Sequence, residues 1–325
     1  MSADSIPMQM LGITHKLLTT VTRTPSLSIL IYHRVFAQLD PFHADVPDTS
    51  IFSWQMELLH RYYNVVSLAQ AIELLKSDEL PARTACVTFD DGYADNFLHA
   101  LPVLKQWQIP ATFFVASGFL NGGMMWNDVL LESIRHLEDD QLDLQPVGLD
   151  RYDLGNLQQR QQLATQLLPT IKYMSTTQRS EVTQYLTELA KHYLPDDLMM
   201  TTAQLKQLHA SGMEIGGHTV SHPILSSLTT QQAEQEISDG RNQLSALLDG
   251  ARIRYFAYPN GKPGQDFTNE HANIVKQLGF EGAVSTRCSA STIDSDLYQL
   301  PRFTPWDTTP FKFAARLMKN SLLRV

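Results

Sequence analysis

The sequence predicts an α/β fold of parallel strands curled into a barrel, with a helical insertion, and three observations carry that reading. From residue 27 onward, short β-rich runs alternate with amphipathic stretches, as in repeated strand–helix units around a parallel sheet. Seven such runs occur in 325 residues, a number that suits a barrel better than an open sheet. The residues with most chemical potential fall just past the ends of these runs, where barrels build their sites.

The strand candidates are residues 28–32, 64–67, 85–89, 111–116, 213–216, 254–258 and 282–285. Helices between them carry start and stop signals. Thr201-Thr202-Ala203-Gln204 has the form of a capping box, places Leu205 and Leu208 on the following helix, and ends at Gly212. Thr229-Thr230-Gln231-Gln232 repeats the device, with Ala233, Ile237, Leu244 and Leu248 on one face and Gly250 as the stop. The stretch at about 126–200 breaks the rhythm, being Gln-rich, helix-prone and without a convincing strand, and reads as an insertion into one domain spanning 27–325. Residues 1–26 form an N-terminal extension.

A hydrophobic content of 43% supplies a sizeable core, and the net charge of −9 argues against a nucleic-acid partner, which requires clustered Lys and Arg. Two cysteines, Cys86 and Cys288, are too few for a disulfide framework and read as reduced thiols. The opening residues show neither a secretory signal nor a membrane span, so the expectation is a cytoplasmic protein, with peripheral membrane contact left open.

Two motifs carry the chemistry. Thr88-Phe89-Asp90-Asp91-Gly92 places adjacent carboxylates at the end of an apolar run, where packing favours none. The plain alternative is a helix N-terminus using Asp as a cap. His218-Thr219-Val220-Ser221-His222 sets two imidazoles four positions apart after another apolar run and the Gly216-Gly217 pair. By itself this spacing also fits a backbone-satisfied imidazole and a loop histidine. Together the motifs supply two His nitrogens and one carboxylate, a donor set that leaves open positions on a divalent ion. Such an ion lowers the pKa of its water from ~15.7 toward ~7, and the second carboxylate is placed to take a proton.

These residues resemble the polysaccharide deacetylases with a NodB-like catalytic domain, also called carbohydrate esterase family 4. The resemblance runs from about Ile31 to Trp306 and rests on the two motifs, both matching in full. It implies a distorted (β/α)7 barrel and a hydrolase acting on C–N bonds other than peptide bonds. The expected activity is metal-dependent removal of N-acetyl groups from amino-sugar units of a polysaccharide or glycan precursor, as in exopolysaccharide metabolism. It implies Asp90 as general base, and Asp91, His218 and His222 as ligands of a divalent metal, zinc or another. Phe256-Ala257-Tyr258-Pro259-Asn260-Gly261 looks like the family's third motif, with the Asn260 backbone N–H as oxyanion donor.

The chain also departs from the pattern. The arginine that many members carry in the third motif is replaced here, by Ala257, so another group must orient Asp90. The later acidic-tryptophan and Leu-x-His motifs are not recognisable in Val284-Ser285-Thr286-Arg287 or Leu300-Pro301-Arg302-Phe303, which leaves the general acid unassigned. Among other candidates, His33 ends the first strand at the functional rim. Trp126 and Asp128 follow a Gly122-Gly123 turn that can bring them to the mouth, and Trp126, Tyr258 and Trp306 suit sugar faces. Two other readings stay open: a different C–N hydrolase on the same scaffold, or a carbohydrate-binding protein that keeps the metal site without catalysis.

Overall fold

The computed structural model describes residues 25–323. The expected extension over 1–26 lies outside the described residues except for its last two positions. The strands are β1 Leu27–Tyr32, β2 Asn64–Val65, β3 Thr84–Phe89, β4 Ala111–Val115, β5 Gln141–Asp143, β6 Arg151–Asp153, β7 Glu214–Gly217, β8 Tyr255–Ala257 and β9 Gly282–Val284. The helices are α1 Thr49–Tyr62, α2 Leu68–Lys76, α3 Leu101–Gln106, α4 Trp126–His136, α5 Leu157–Lys172, α6 Thr176–Ala190, α7 Thr202–Ala210, α8 Thr230–Leu247, α9 Asn269–Gln277 and α10 Pro310–Leu322.

Seven strands form one parallel sheet in the order β1-β3-β4-β7-β8-β9, with β2 paired to β3. Its curl is completed by residues 300–303, since Leu300 bridges Val284 on β9 and Phe303 bridges Leu30 on β1. All seven expected strands are present, most of them within a residue or two of the expected bounds.

Successive strand side chains point to opposite faces, and the two faces have different neighbours. Leu27, Ile29, Cys86, Phe114, Tyr255, Ala257 and Val284 share a small cluster with Leu68, Ile72 and Leu75, so α2 closes one end of the barrel interior. Leu30, Tyr32, Val87, Phe89, Phe113, Ile215 and Phe256 belong to the larger cluster shared with the surrounding helices. Gly216 makes room for the interior: a Cβ there would lie 2.3 Å from the Phe114 ring. Both cysteines are free, Cys86 buried and Cys288 exposed.

The insertion is largely helical, as its composition predicts, but it also contains the antiparallel hairpin β5–β6. Three-residue strands with a single apolar position each leave almost no period-2 signal, which is why no strand is legible there. Leu130, Ile134, Leu142, Leu163, Leu167 and Leu186 give this segment an apolar core of its own.

Candidate active site

Asp90 and Asp91 leave the sheet directly after β3. The Asp90 N–H donates to the Tyr32 carbonyl at 2.9 Å, extending the ladder by one residue. Asp91 then takes φ +79° and Gly92 φ +94°, so the chain turns sharply at the carboxylates. Gly92 is required twice over, since a Cβ would also lie 2.9 Å from Val115 Cγ1. Thr219, His222 and Asn260 likewise have left-handed φ, at +66°, +54° and +61°. Non-glycine residues held in that region cost energy that the surrounding structure must supply, and such residues gather at functional sites.

Asp91 Oδ1 lies 3.4 Å from Nε2 of His218 and 3.4 Å from Nε2 of His222. His218 Nδ1 is 2.7 Å from the Ala257 carbonyl. A carbonyl can only accept, so Nδ1 holds a proton and Nε2 is the ring nitrogen turned toward Asp91. Asp91 Oδ1 is buried with no hydrogen-bond donor among the described residues. Three ligand atoms thus converge within 4.8 Å of one another, a set that fits a divalent cation. Burial opposes charge on His218, but Asp90 and then Asp91 outweigh it and raise its pKa, while burial depresses His222 to about 4. The two carboxylates draw positive charge to this spot.

The loop carrying both histidines is tied to α8. Glu236 accepts the backbone N–H groups of Val220 and Ser221 at 3.0 and 2.9 Å and the Ser221 hydroxyl at 2.7 Å. Gly240, one helical turn further, lets the helix backbone approach Thr219, where a Cβ would sit 2.7 Å from the carbonyl carbon and oxygen.

Asp90 is oriented by Arg302, which is 0% exposed. Its Nη1 and Nη2 donate to the two carboxylate oxygens, each at 2.7 Å. Nη1 also donates to Thr88 Oγ1 at 3.1 Å and Nε to the Ser285 carbonyl at 3.1 Å. Burial favours the neutral acid, yet Arg302 first and His218 second outweigh it, so Asp90 stays ionised below the usual carboxylate range. The arginine missing beside Ala257 is therefore replaced in space by one from residues 300–303.

These groups open into a cleft of about 450 Å³ whose walls include His33, Trp126, Lys172, Tyr173, Asn260 and Lys262. His33 lies near enough for its charge to lower the pKa of both Asp90 and Asp91. Asn260 presents its backbone in a turn whose carbonyl accepts the Thr286 hydroxyl at 2.8 Å. Its own N–H has no acceptor among the described residues.

Three expectations are corrected. Asp128 is 4% exposed and accepts from the Tyr93 hydroxyl at 3.1 and 3.0 Å, so it lies behind the cleft wall and offers nothing to a substrate. Tyr258 is 0% exposed, stacked on Phe267 at 3.7 Å, with its hydroxyl donating to the Tyr298 carbonyl. The alternation of β8 turns that ring into the apolar layer. Trp306 is exposed but lies outside the cleft, packed under Arg316. The residues missed were Arg302, Glu236, Lys172 and Lys262. Arg302 alone left a trace, as a cation inside an otherwise apolar tetrapeptide.

An ionised, arginine-held carboxylate beside three convergent metal donors, at the C-terminal rim of a parallel barrel, is the architecture of a hydrolytic centre. Residues 77–283 match the family described as polysaccharide deacetylase, and the chain belongs to that family. The Bacillus subtilis (strain 168) protein YxkH, whose name places it among the polysaccharide deacetylases, is 23% identical over 278 residues, covering 85% of this chain and 70% of that protein. Among solved structures, the Streptococcus pyogenes deacetylase PplD, in complex with acetate, superposes with a TM-score of 0.60 at 18% identity, covering 91% of this chain and 98% of that one. IcaB from Ammonifex degensii gives 0.58 at 22% identity, covering 90% and 97%. These structural likenesses establish the shared fold.

Proposed function

We propose that the protein is a metal-dependent deacetylase that hydrolyses N-acetyl groups on amino-sugar units of a polysaccharide or glycan precursor. The observation that carries this reading is the Arg302-clamped Asp90 beside the Asp91, His218 and His222 donor set. A non-catalytic carbohydrate binder has no use for a carboxylate held ionised in this way. Two imidazoles and a carboxylate suit zinc.

Asp91, His218 and His222 would hold a divalent ion, which would supply Lewis acidity and lower the pKa of a water bound there. Asp90 accepts the proton of the attacking water, its oxygens aimed by Arg302. As charge develops on the amide oxygen, the Asn260 N–H donates to it, a contribution of about 2.7–4 kcal/mol for donors of this type. The water oxygen bonds to the carbonyl carbon, the C–N bond breaks, and the leaving nitrogen takes a proton. His33 is the cleft imidazole outside the ligand set, and is the general acid in this reading. Trp126 offers an aromatic face for the sugar ring. Among the described residues no helix is long and apolar enough to cross a membrane.

The test is acetate release from N-acetylglucosamine oligomers, with and without chelator, beside elemental analysis. Activity abolished by chelation and restored by zinc is expected. Chelator-insensitive release, or an intact metal complement in His218→Ala, would sink the ligand assignment.

A further inference from the structure

Two ammonium groups line the cleft: Lys172 at the end of α5 and Lys262 in the loop after β8. Docking of the insertion on the barrel brings them together. Gln265 Nε2 donates to the Tyr173 hydroxyl oxygen at 2.7 Å, and Arg179 Nη1 donates to the Lys172 carbonyl at 3.1 Å, fixing the end of α5. Neither ammonium has an ion-pair or hydrogen-bond partner among the described residues; Lys172 Nζ lies 5.5 Å from the Tyr173 ring centroid. Burial depresses the Lys172 pKa, Asp266 opposes that and Lys262 adds to it. Asp266 is itself engaged, its Oδ2 accepting the Lys262 backbone N–H at 3.0 Å, although its buried Oδ1 is unpartnered.

Solvation explains one lysine at a cleft edge, and Lys262 is exposed. It does not explain why a half-buried second ammonium shares the same wall in a chain of net charge −9, where the two repel. The charges that act most on Asp90 and Asp91 are Arg302, His218, His222 and His33, and the lysines are not among them. The ammonium pair lines the same cleft as Asp90 and Asp91 without being among the charges that act most on them.

We propose that this wall is an anion subsite, and that the substrate is an acidic glycan whose carboxylate or phosphate, next to the N-acetylated sugar, is held by Lys172 and Lys262. The inference rests on the deacetylase reading above. Lysine suits this task as a point charge that accepts either anion without a fixed geometry.

Acetate release is measured on three substrates: a neutral N-acetylglucosamine tetrasaccharide, a tetrasaccharide alternating N-acetylglucosamine with glucuronate, and a phosphodiester-linked N-acetylglucosamine oligomer. Wild type is compared with the double variant Lys172→Gln, Lys262→Gln. One acidic substrate should exceed the neutral one by about 10-fold or more in kcat/KM, carried by KM and weakened by salt. The double variant should bring that ratio toward one, and the responding arm identifies carboxylate or phosphate. A ratio near one in wild type, or one that survives both substitutions, overturns the proposal. Acetate release from none of the three would instead sink the deacetylase reading. Calorimetric titration of the same oligomers into wild type and double variant then decides the subsite alone, equal binding of acidic and neutral oligomers overturning it.

Discussion

Asp90 and Arg302 are 212 residues apart in the chain and form the buried pair on which the proposed chemistry turns. Breaking a buried pair by removing one partner costs about 3–5 kcal/mol, because the other charge is left without compensation. Arg302→Met should therefore lower Tm and reduce turnover by at least about 100-fold, while metal content by elemental analysis stays near one per chain. Asp90→Asn should also keep metal and lose turnover; wild-type-like activity in it would remove Asp90 from the role of base. Asp128 gives the opposite electrostatic case. Burial raises its pKa to about 7 despite Arg34 and Tyr93, so the folded state prefers the neutral acid. The unfolded chain ionises near 3.9, hence stability declines as pH rises from about 4 through 7. Asp128→Asn removes that penalty while keeping an acceptor for Tyr93. In chelator, its Tm relative to wild type should be higher at pH 8 than at pH 5, and a pH-independent difference would refute the assignment. Asp90, Asp91, His218 and His222 were legible because their types and spacing have no good packing explanation. Arg302 was not, since a three-dimensional substitution for a missing motif residue has no fixed place in the sequence.

Among the elements, α8 does more than cover the sheet. Its Glu236 occupies three donors of the loop between the histidines, and its Gly240 sets how closely that loop lies. Glu236→Ala should weaken metal binding by about 10–100-fold, the range for residues that orient ligands from behind. Competition with a chromogenic chelator measures it, and unchanged affinity would show that the loop holds itself. The helix was readable from its capping box, which is present as expected, with Thr229 and Gln232 satisfying each other's backbone N–H groups. What Glu236 does was not, because a carboxylate on a helix surface ordinarily faces water and only the arrival of the loop gives it partners. The strands were legible for a simpler reason: six of the seven are completely or almost completely buried, so their apolar runs are nearly continuous.

On the scale of the whole molecule, the barrel and the insertion divide the work. The barrel holds the reacting groups, while the insertion, with its separate apolar core, supplies Leu168, Pro169, Lys172 and Tyr173 to the cleft wall. Leu167→Ala deletes a side chain buried in that core and should cost about 2–5 kcal/mol locally. The expected signature is a raised KM with little change in metal content, and loss of metal in this variant would mean that the two cores are energetically one. That the insertion packs on the cleft was not legible, because it depends on a tertiary contact between residues distant in sequence, Tyr173 and Gln265. The parallel arrangement was, since strand–helix alternation leaves few other topologies.

The segment 300–303 both joins the sheet edges and delivers the guanidinium to Asp90. All three metal donors lie before residue 223. In the chain, the candidate ligand side chains therefore all precede Arg302, the counter-ion of Asp90. A product shortened before residue 300 would keep those side chains but lack the guanidinium that aims and ionises Asp90.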